Sequence, residues 1–328
     1  MKDLKIIILH QDVGNNPSPD EKDTLVQTEF VRTALEKNGY FVKTAAVDLD
    51  FSRLGRRLLD EKPDAVFNLV ESLDGKGILI HLLPSFLSSM NIAYTGCSAD
   101  AIMTTSNKIT AKSIMKKNNL ATPDWQLLKK SGEITLEVPF IMKSIWEHAS
   151  VSIDDSSVFF KQIHSADEIG KAVDGFFIEK FISGREFNIS VLEINGKPQV
   201  LPIAEISFSS FPEDKLNIVN YAAKWDESSF EYQNTPRVFL DENKEPELSA
   251  GLKELVLRCW DVFSLSGYAR IDLRVDNSGQ IRILEINTNP CLSPDAGFMA
   301  AAAHAGFSDQ KVINLIIDAV LEKKPCQT

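Results

Sequence analysis

The sequence predicts an α/β layer followed by α+β structure, spread over two or three domains. Its 328 residues are enough for separate cores at the usual domain size. Short β-branched apolar runs alternate with helical segments as far as Tyr94, the pattern of a parallel sheet layered with helices. From Ser98 the texture changes to short strands, glycine turns and polar stretches, and Asn195-Gly196 is the strongest hairpin signal.

Leu4–Leu9 reads as a buried parallel strand because it is a short, isoleucine-rich run. A polar loop with Gly14, Pro17 and Pro19 leads into a helix from Asp23 to Asn38, stopped by Gly39. Phe41–Val47 is a second strand, Phe51–Glu61 a helix, and Ala65–Val70 a third strand ending in Glu71-Ser72. Another helix reaches Met90, and Ile92–Tyr94 is the next strand. This alternation argues a Rossmann-like layer, although no Gly-x-Gly-x-x-Gly is present. His10, past Leu9, and Glu71, past Val70, stand at strand C-termini, where open α/β sheets bind ligands.

Ser106–Asn118 is helical until Ala121-Thr-Pro-Asp breaks it. Trp125–Leu128, Val138–Lys143, Val158–Gln162 and Phe176–Ile182 are strands, with a helix near Ala166–Val173, and together they predict a small α+β middle domain. Arg185–Ile194 and Gln199–Ile206 flank the Asn195-Gly196 turn. Ser207–Leu240 has no clean periodicity and reads as a long functional loop or lid. A helix over Glu247–Ser264 comes next, and an Ala-rich helix, Gly297–Ala305, ends at Gly306.

The formal net charge is -11 and no polybasic block appears, which argues against nucleic acid or an anionic membrane as partner. No apolar run reaches membrane length. Cys97, Cys259, Cys291 and Cys326 show no metal spacing, so a reduced, cytoplasmic chain is expected.

The densest chemistry lies between the last two helices. Gly-Tyr-Ala-Arg270-Ile-Asp272-Leu-Arg-Val, a turn, then Gln-Ile-Arg-Ile-Leu-Glu285-Ile-Asn287 read as two strands. Residues two apart share a face, so Arg270 pairs with Asp272 and Glu285 with Asn287. A loop over Asn277–Gln280 sets Asp272 opposite Glu285 and Arg270 opposite Asn287, with Ile271, Leu273, Leu284 and Ile286 as apolar backing. A solvated hairpin would explain the alternation alone. The matched oxygen ligands point instead to a hard divalent ion, Mg²⁺ above all, with phosphates. Lys143 ends an apolar strand and Lys108 opens a helix, both placed to reach phosphate. The strand Phe176-Phe-Ile-Glu179-Lys180-Phe181-Ile182 leaves through Gly184 toward Glu186, and can offer backbone groups and carboxylates to adenine and ribose.

The order of these segments resembles an ATP-grasp ligase, most like the D-alanine–D-alanine ligase family, nearly end to end. The resemblance is carried by Tyr94-Thr-Gly96 with Ser106-Asn-Lys108-Ile-Thr-Ala-Lys, by Leu120-Ala-Thr-Pro-Asp-Trp125, by Ile178–Phe187, by Tyr221-Ala-Ala-Lys224-Trp225 and by the 267–290 hairpin. It implies an ATP-grasp fold with a Rossmann-like domain over 1–96, a central subdomain over 97–183, and a C-terminal one over 184–328 whose lid lies near 207–240. It also implies that Lys108, Lys143, Ser150 and Lys224 bind phosphates, that Glu179, Lys180, Phe181 and Ile182 bind adenine, and that Glu186 binds ribose. Asp272, Glu285 and Asn287 would hold two Mg²⁺, with Mn²⁺ as an alternative, while Arg270 and Lys224 serve catalysis. The implied partners are amino acids or small peptides, in a chain that relatives suggest forms a homodimer. Rival readings are a true D-alanine–D-alanine ligase and a non-catalytic nucleotide-binding regulator. The retained oxyanion arginine, Arg270, argues against the second.

The departures cluster on the substrate side. The loop after Lys143, normally rich in glycine and serine, reads Ser144-Ile-Trp-Glu-His148-Ala149-Ser150. Ala149 stands where the family has a serine, Trp225 replaces its lid tyrosine, and Ala296-Gly297 replaces the serine–leucine pair that receives the second substrate's carboxylate. Ser18-Pro-Asp-Glu21 only faintly echoes the family's N-terminal Ser-x-Glu. Glu21, Glu71, Trp225, Ala296 and Gly297 are therefore candidate substrate residues, and a carboxylate left unpaired predicts a bulkier or less polar acceptor. His304 reads as structural, and Cys97 and Cys291 lack a histidine partner for nucleophilic work.

Overall fold

The computed structural model of the chain describes residues 4–14, 17–146 and 153–322. The N-terminal layer is a parallel sheet. β1 (Lys5–Gln11) lies between β2 (Phe41–Val47) and β3 (Ala65–Asn68), in register Ile6↔Val42 and Ile6↔Ala65. All four isoleucines and leucines from Ile6 to Leu9 are fully buried, as a strand covered on both faces requires. The expected fourth strand shrinks to a single parallel bridge between Tyr94 and Val66.

α1 (Pro19–Lys37) begins four residues earlier than the sequence pattern indicates. Ser18 caps it, and Glu21 returns a bond to the Ser18 backbone N–H at 2.8 Å, so the polar segment expected as loop is the helix's first turn. α2 (Phe51–Glu61) and α3 (Leu82–Ser89) complete this layer. A further helix that the sequence pattern did not bring out, α4 (Ala99–Ser106), comes next, and the predicted Ser106–Asn118 helix is α5 (Lys108–Lys117), capped by the Asn107 side chain.

β4 (Trp125–Leu127), β5 (Phe140–Ser144), β6 (Val158–Phe159) and β7 (Phe176–Lys180) form an antiparallel sheet in the order β4-β7-β5-β6, over a core that includes Phe140, Met142 and Ile178. The helix expected near 166–173 is only a 3₁₀ turn, Ala166–Ile169. A second antiparallel sheet is built on β8 (Gly184–Ile194). β9 (Lys197–Val200) returns on it through the Asn195-Gly196 turn. β10 (Ala204–Ile206) pairs with it again further along, after Pro202 interrupts the ladder. The segment read as a long functional loop or lid contains α6 (Tyr221–Trp225), α7 (Phe230–Gln233) and β11 (Arg237–Phe239), the last paired with β10.

α8 (Pro246–Val262) packs Leu252, Val256 and Cys259 against the sheet. β12 (Tyr268–Asp276) and β13 (Ile281–Asn287) finish the sheet beside β8. α9 (Gly297–His304) follows, and then α10 (Asp309–Leu321), a helix that the sequence pattern did not bring out. Val312, Ile313, Ile316 and Ile317 of α10 are fully buried in the same core as Ile6, Val31 and Phe67, so the chain's last helix covers its first sheet.

Gly184 is a position where glycine is required. At φ 136° it lets β8 pass so close to β12 that a Cβ would sit 2.1 Å from the Val275 carbonyl oxygen.

Candidate active site

The β12–β13 hairpin sets Arg270 opposite Asn287 and Asp272 opposite Glu285, as the sequence pattern predicts. It reaches that register through a β-bulge between Asp272 and Leu273. The bulge corrects the expected backing. Leu273 faces Ile283, which is fully buried, whereas Leu284 turns toward the site. The loop after α5 fixes this geometry. Ile283 donates its N–H to the Ala121 carbonyl at 2.8 Å and accepts from the Thr122 hydroxyl at 2.8 Å.

Lys108, Lys143, Glu179, Lys224, Arg270, Asp272 and Glu285 line one cavity of about 100 Å³, closed by the Lys180–Ile182 segment and Glu186. Between the two antiparallel sheets, β5 and β7 supply one wall and β8, β12 and β13 the other. The Glu179 carboxylate is almost fully buried and pairs with two ammonium groups, Lys143 at 2.6 Å and Lys112 at 2.6 Å. Burial alone would raise its pKa, but the two lysines outweigh burial and keep it ionised, below its ordinary value. Glu179 thus holds in place Lys143, which lines the cavity, and the fully buried Lys112 behind it, a task that its expected adenine contact did not anticipate. Sequence reasoning missed Lys112, although its i+4 spacing from Lys108 puts both on one helix face.

Arg274 was also missed. It is buried, and it grips the Glu186 carboxylate at 2.7 Å and the Ile182 carbonyl at 2.8 Å. The alternation Arg270-x-Asp272-x-Arg274 carried that signal.

Arg270 binds both oxygens of Asp272, at 2.8 and 2.9 Å, and Asn287 donates to Asp272 at 3.2 Å. Burial opposes the charge on Arg270, yet Asp272 and Glu285 outweigh it and raise its pKa. Asp272 is pushed up by burial and by the neighbouring Glu285, despite Arg270. Two carboxylates facing each other in a dry site favour a cation between them. Asp272, Glu285 and Asn287 supply the oxygen-donor chemistry that suits Mg²⁺ shared with phosphates, and among the described residues no larger acidic cluster competes. Lys224, on α6, makes no hydrogen bond or ion pair among the described residues. Burial and Arg270 lower its pKa.

A second cavity of about 900 Å³ meets the first at Asn188, Val219, Lys224 and Arg270. Glu21, Glu71, Trp225, Asn287, Ala296 and Gly297 all line it. Burial raises the Glu71 carboxyl to about 7, against the bond from Gln27 that lowers it. His10 lines neither cavity and bonds the Gln11 carbonyl through Nδ1 at 2.9 Å. His304 stacks on Phe239. Cys97 donates to the Ser266 carbonyl, and the Cys291 thiol, raised by burial and nearby acids, bonds Asp23. His148, Ala149 and Ser150 lie outside the described residues.

A lysine-lined cleft between two antiparallel sheets, opening beside a carboxylate hairpin onto a second cavity, defines the ATP-grasp class of ligases. The family model for the D-Ala–D-Ala ligase C-terminus matches residues 112–318, and the chain belongs to that family. The D-alanine–D-alanine ligase of Aquifex aeolicus is 29% identical over 319 residues, which span 96% of this chain and 100% of that protein. The corresponding ligase of Mannheimia succiniciproducens is 26% identical over 97% and 98% of the two chains. Among solved structures, the Bacillus anthracis D-alanine–D-alanine ligase complexed with ATP superposes with a TM-score of 0.72 at 20% identity, covering 97% and 98%. The D-Ala:D-Ser ligase VanG of Enterococcus faecalis gives a TM-score of 0.69 at 14% identity, covering 97% and 100%.

Proposed function

We propose that the chain joins two amino acids by an amide bond, activating the carboxylate of the first with ATP. The observation that carries this reading is the meeting of the two cavities at Lys224 and Arg270. One side presents lysines and paired carboxylates to a nucleotide, and the other presents Glu21 and Glu71 to ammonium groups.

A free carboxylate resists attack by an amine, so it must first take the γ-phosphoryl group. Lys108, Lys143 and Lys224 bind and orient the triphosphate, and their charges match the negative charge spread over the transferring oxygens. Lys180 to Ile182 supply the main chain along which adenine lies, held by Arg274 on the Ile182 carbonyl. Asp272, Glu285 and Asn287 would hold Mg²⁺, which when bound neutralises phosphate charge. The amine of the second amino acid then attacks the acyl phosphate, and phosphate leaves. Arg270, at the junction, stabilises the oxyanion of that addition, and its grip on Asp272 fixes the guanidinium before substrate arrives. α6, which carries Lys224 at the junction, and α7, whose Tyr232 lines the second cavity, would keep water from the acyl phosphate.

The test is ADP release with ATP, Mg²⁺ and pairs drawn from a panel of D- and L-amino acids, with products identified by mass spectrometry. A dipeptide formed stoichiometrically with ADP is the expected result. Nucleotide binding with no product from any pair would favour a regulator. A D-alanine pair exceeding all others in kcat/KM would identify a D-alanine–D-alanine ligase.

A further inference from the structure

Arg237 is the first residue of β11, and its pairing with Ile206 fixes the backbone from which it reaches into the larger cavity. The guanidinium lies against Gly297. A Cβ on that glycine would stand 3.4 Å from Nη2 and 3.5 Å from Nε. Those are ordinary van der Waals distances, so the guanidinium packs directly on the Gly297 backbone, where a side chain longer than a methyl group would compete with it for space. Among the described residues the Arg237 side chain makes no hydrogen bond or ion pair. Asp295 acts on it only as a nearby charge, while burial and the like charge of Arg270 both work against its proton.

A half-buried guanidinium with no partner is costly, and an anion entering the cavity removes that cost. The anion is not a nucleotide phosphate, because Arg237 does not line the nucleotide cavity. Its place is beside Ala296 and Gly297, where the family's serine–leucine pair receives the second substrate's carboxylate. Ala296, the N-cap of α9, offers no side-chain cap, so the uncapped helix end adds to the positive field there.

We infer that Arg237 binds the carboxylate of the second amino acid, in place of the family's serine, and so selects an acceptor bearing a free carboxylate over an amine or an amide. This rests on the ligase reading above. It stands against the expectation that losing the serine leaves this carboxylate unpaired. A forked guanidinium takes both carboxylate oxygens, which a hydroxyl cannot do, so the substitution changes the mode of recognition without abolishing it.

The experiment compares each amino acid of the panel with its C-terminal amide. It uses the full chain, its Arg237→Met variant and Arg237→Lys, which keeps the charge. With ADP and Mg²⁺ present, calorimetry should show at least one acid bound tenfold or more tightly than its amide by the wild-type protein. Arg237→Met should abolish that preference and Arg237→Lys restore part of it. In turnover, the acceptor KM should rise about 10- to 100-fold in Arg237→Met, as expected for a lost charged hydrogen bond of about 1.5–3 kcal/mol, with the KM values for ATP and the first amino acid unchanged. If no acid is preferred over its amide, or if Arg237→Met keeps the preference, the inference is overturned. A parallel rise in all three KM values would mark Arg237 as a structural residue and overturn it too. Failure of the ligase reading looks different, since then no pair releases ADP whatever the binding data show.

Discussion

The cavity proposed for the nucleotide and the cavity proposed for the amino acids share a boundary at Arg270, yet they treat charge in opposite ways. In the first, most charges are paired inside the protein, Lys224 at the boundary excepted. Glu179 sits between Lys112 and Lys143, Arg274 holds Glu186, and Arg270 holds Asp272. In the second, Arg237 has no partner among the described residues, and Glu71 is held near neutrality by burial. In the proposed reading, the difference is one between a site built for a constant ligand and a site completed by a variable one. Internal pairs preorganise phosphate binding at little cost in reorganisation. A charged group without a partner among the described residues, such as Arg237, leaves its pairing to a ligand, and in the proposed reading substrate specificity would reside there.

The comparison breaks most visibly at Glu179. Glu179→Ala strands two buried ammonium groups, and loss of one partner in such a cluster costs about 3–5 kcal/mol. Denaturant unfolding should show that loss. Lys143→Ala should cost less, because Lys112 still neutralises the carboxylate, while ATP binding falls sharply. If both variants keep wild-type stability, the pairing does not preorganise the site.

Arg270→Ala should lower dipeptide formation by about 10²–10³, the range for a lost oxyanion donor. The structure sharpens this expectation, because Arg270 also holds Asp272. Nucleotide affinity should therefore weaken in Mg²⁺ more than in its absence, as read by calorimetry. An unchanged rate of product formation would remove Arg270 from the chemistry.

The smallest expected effect is at Glu71. Its carboxyl titrates near 7 in the fold, against 4.5 ordinarily. Between those values the folded chain holds more protons at this position than the unfolded chain, so stability falls as pH rises through the window. Glu71→Gln should flatten that fall, measured as melting temperature from pH 4 to pH 8 without ligand. Identical profiles for both proteins would place Glu71 in solvent-like surroundings and weaken the contrast between the two cavities.

Local chemistry was legible where it depended on neighbours in the chain. The strands Phe41–Val47 and the helix Phe51–Glu61 match their predicted bounds, since apolar periodicity and flanking turns define them. α10 escaped because its apolar residues bury against the first sheet, and nothing nearby in sequence marks that packing. The start of α1 was missed because Ser18 and Pro19 were read as loop residues, although both also open helices. The lid's short helices have too few residues to show a period.

The sequence by itself determined the family and the hairpin register that brings Arg270, Asp272, Glu285 and Asn287 together. Those properties follow from spacing along one or two adjacent strands, where a period of two residues decides which side chains share a face. Only the tertiary structure decided the partners. Arg274 meets Glu186 across 88 residues, Lys112 meets Glu179 from a different element, and Arg237 reaches the space that Gly297 leaves open. Long, flexible charged side chains carry no sequence period of their own. Their partners are selected by which elements pack together and by the high cost of leaving a charge buried alone.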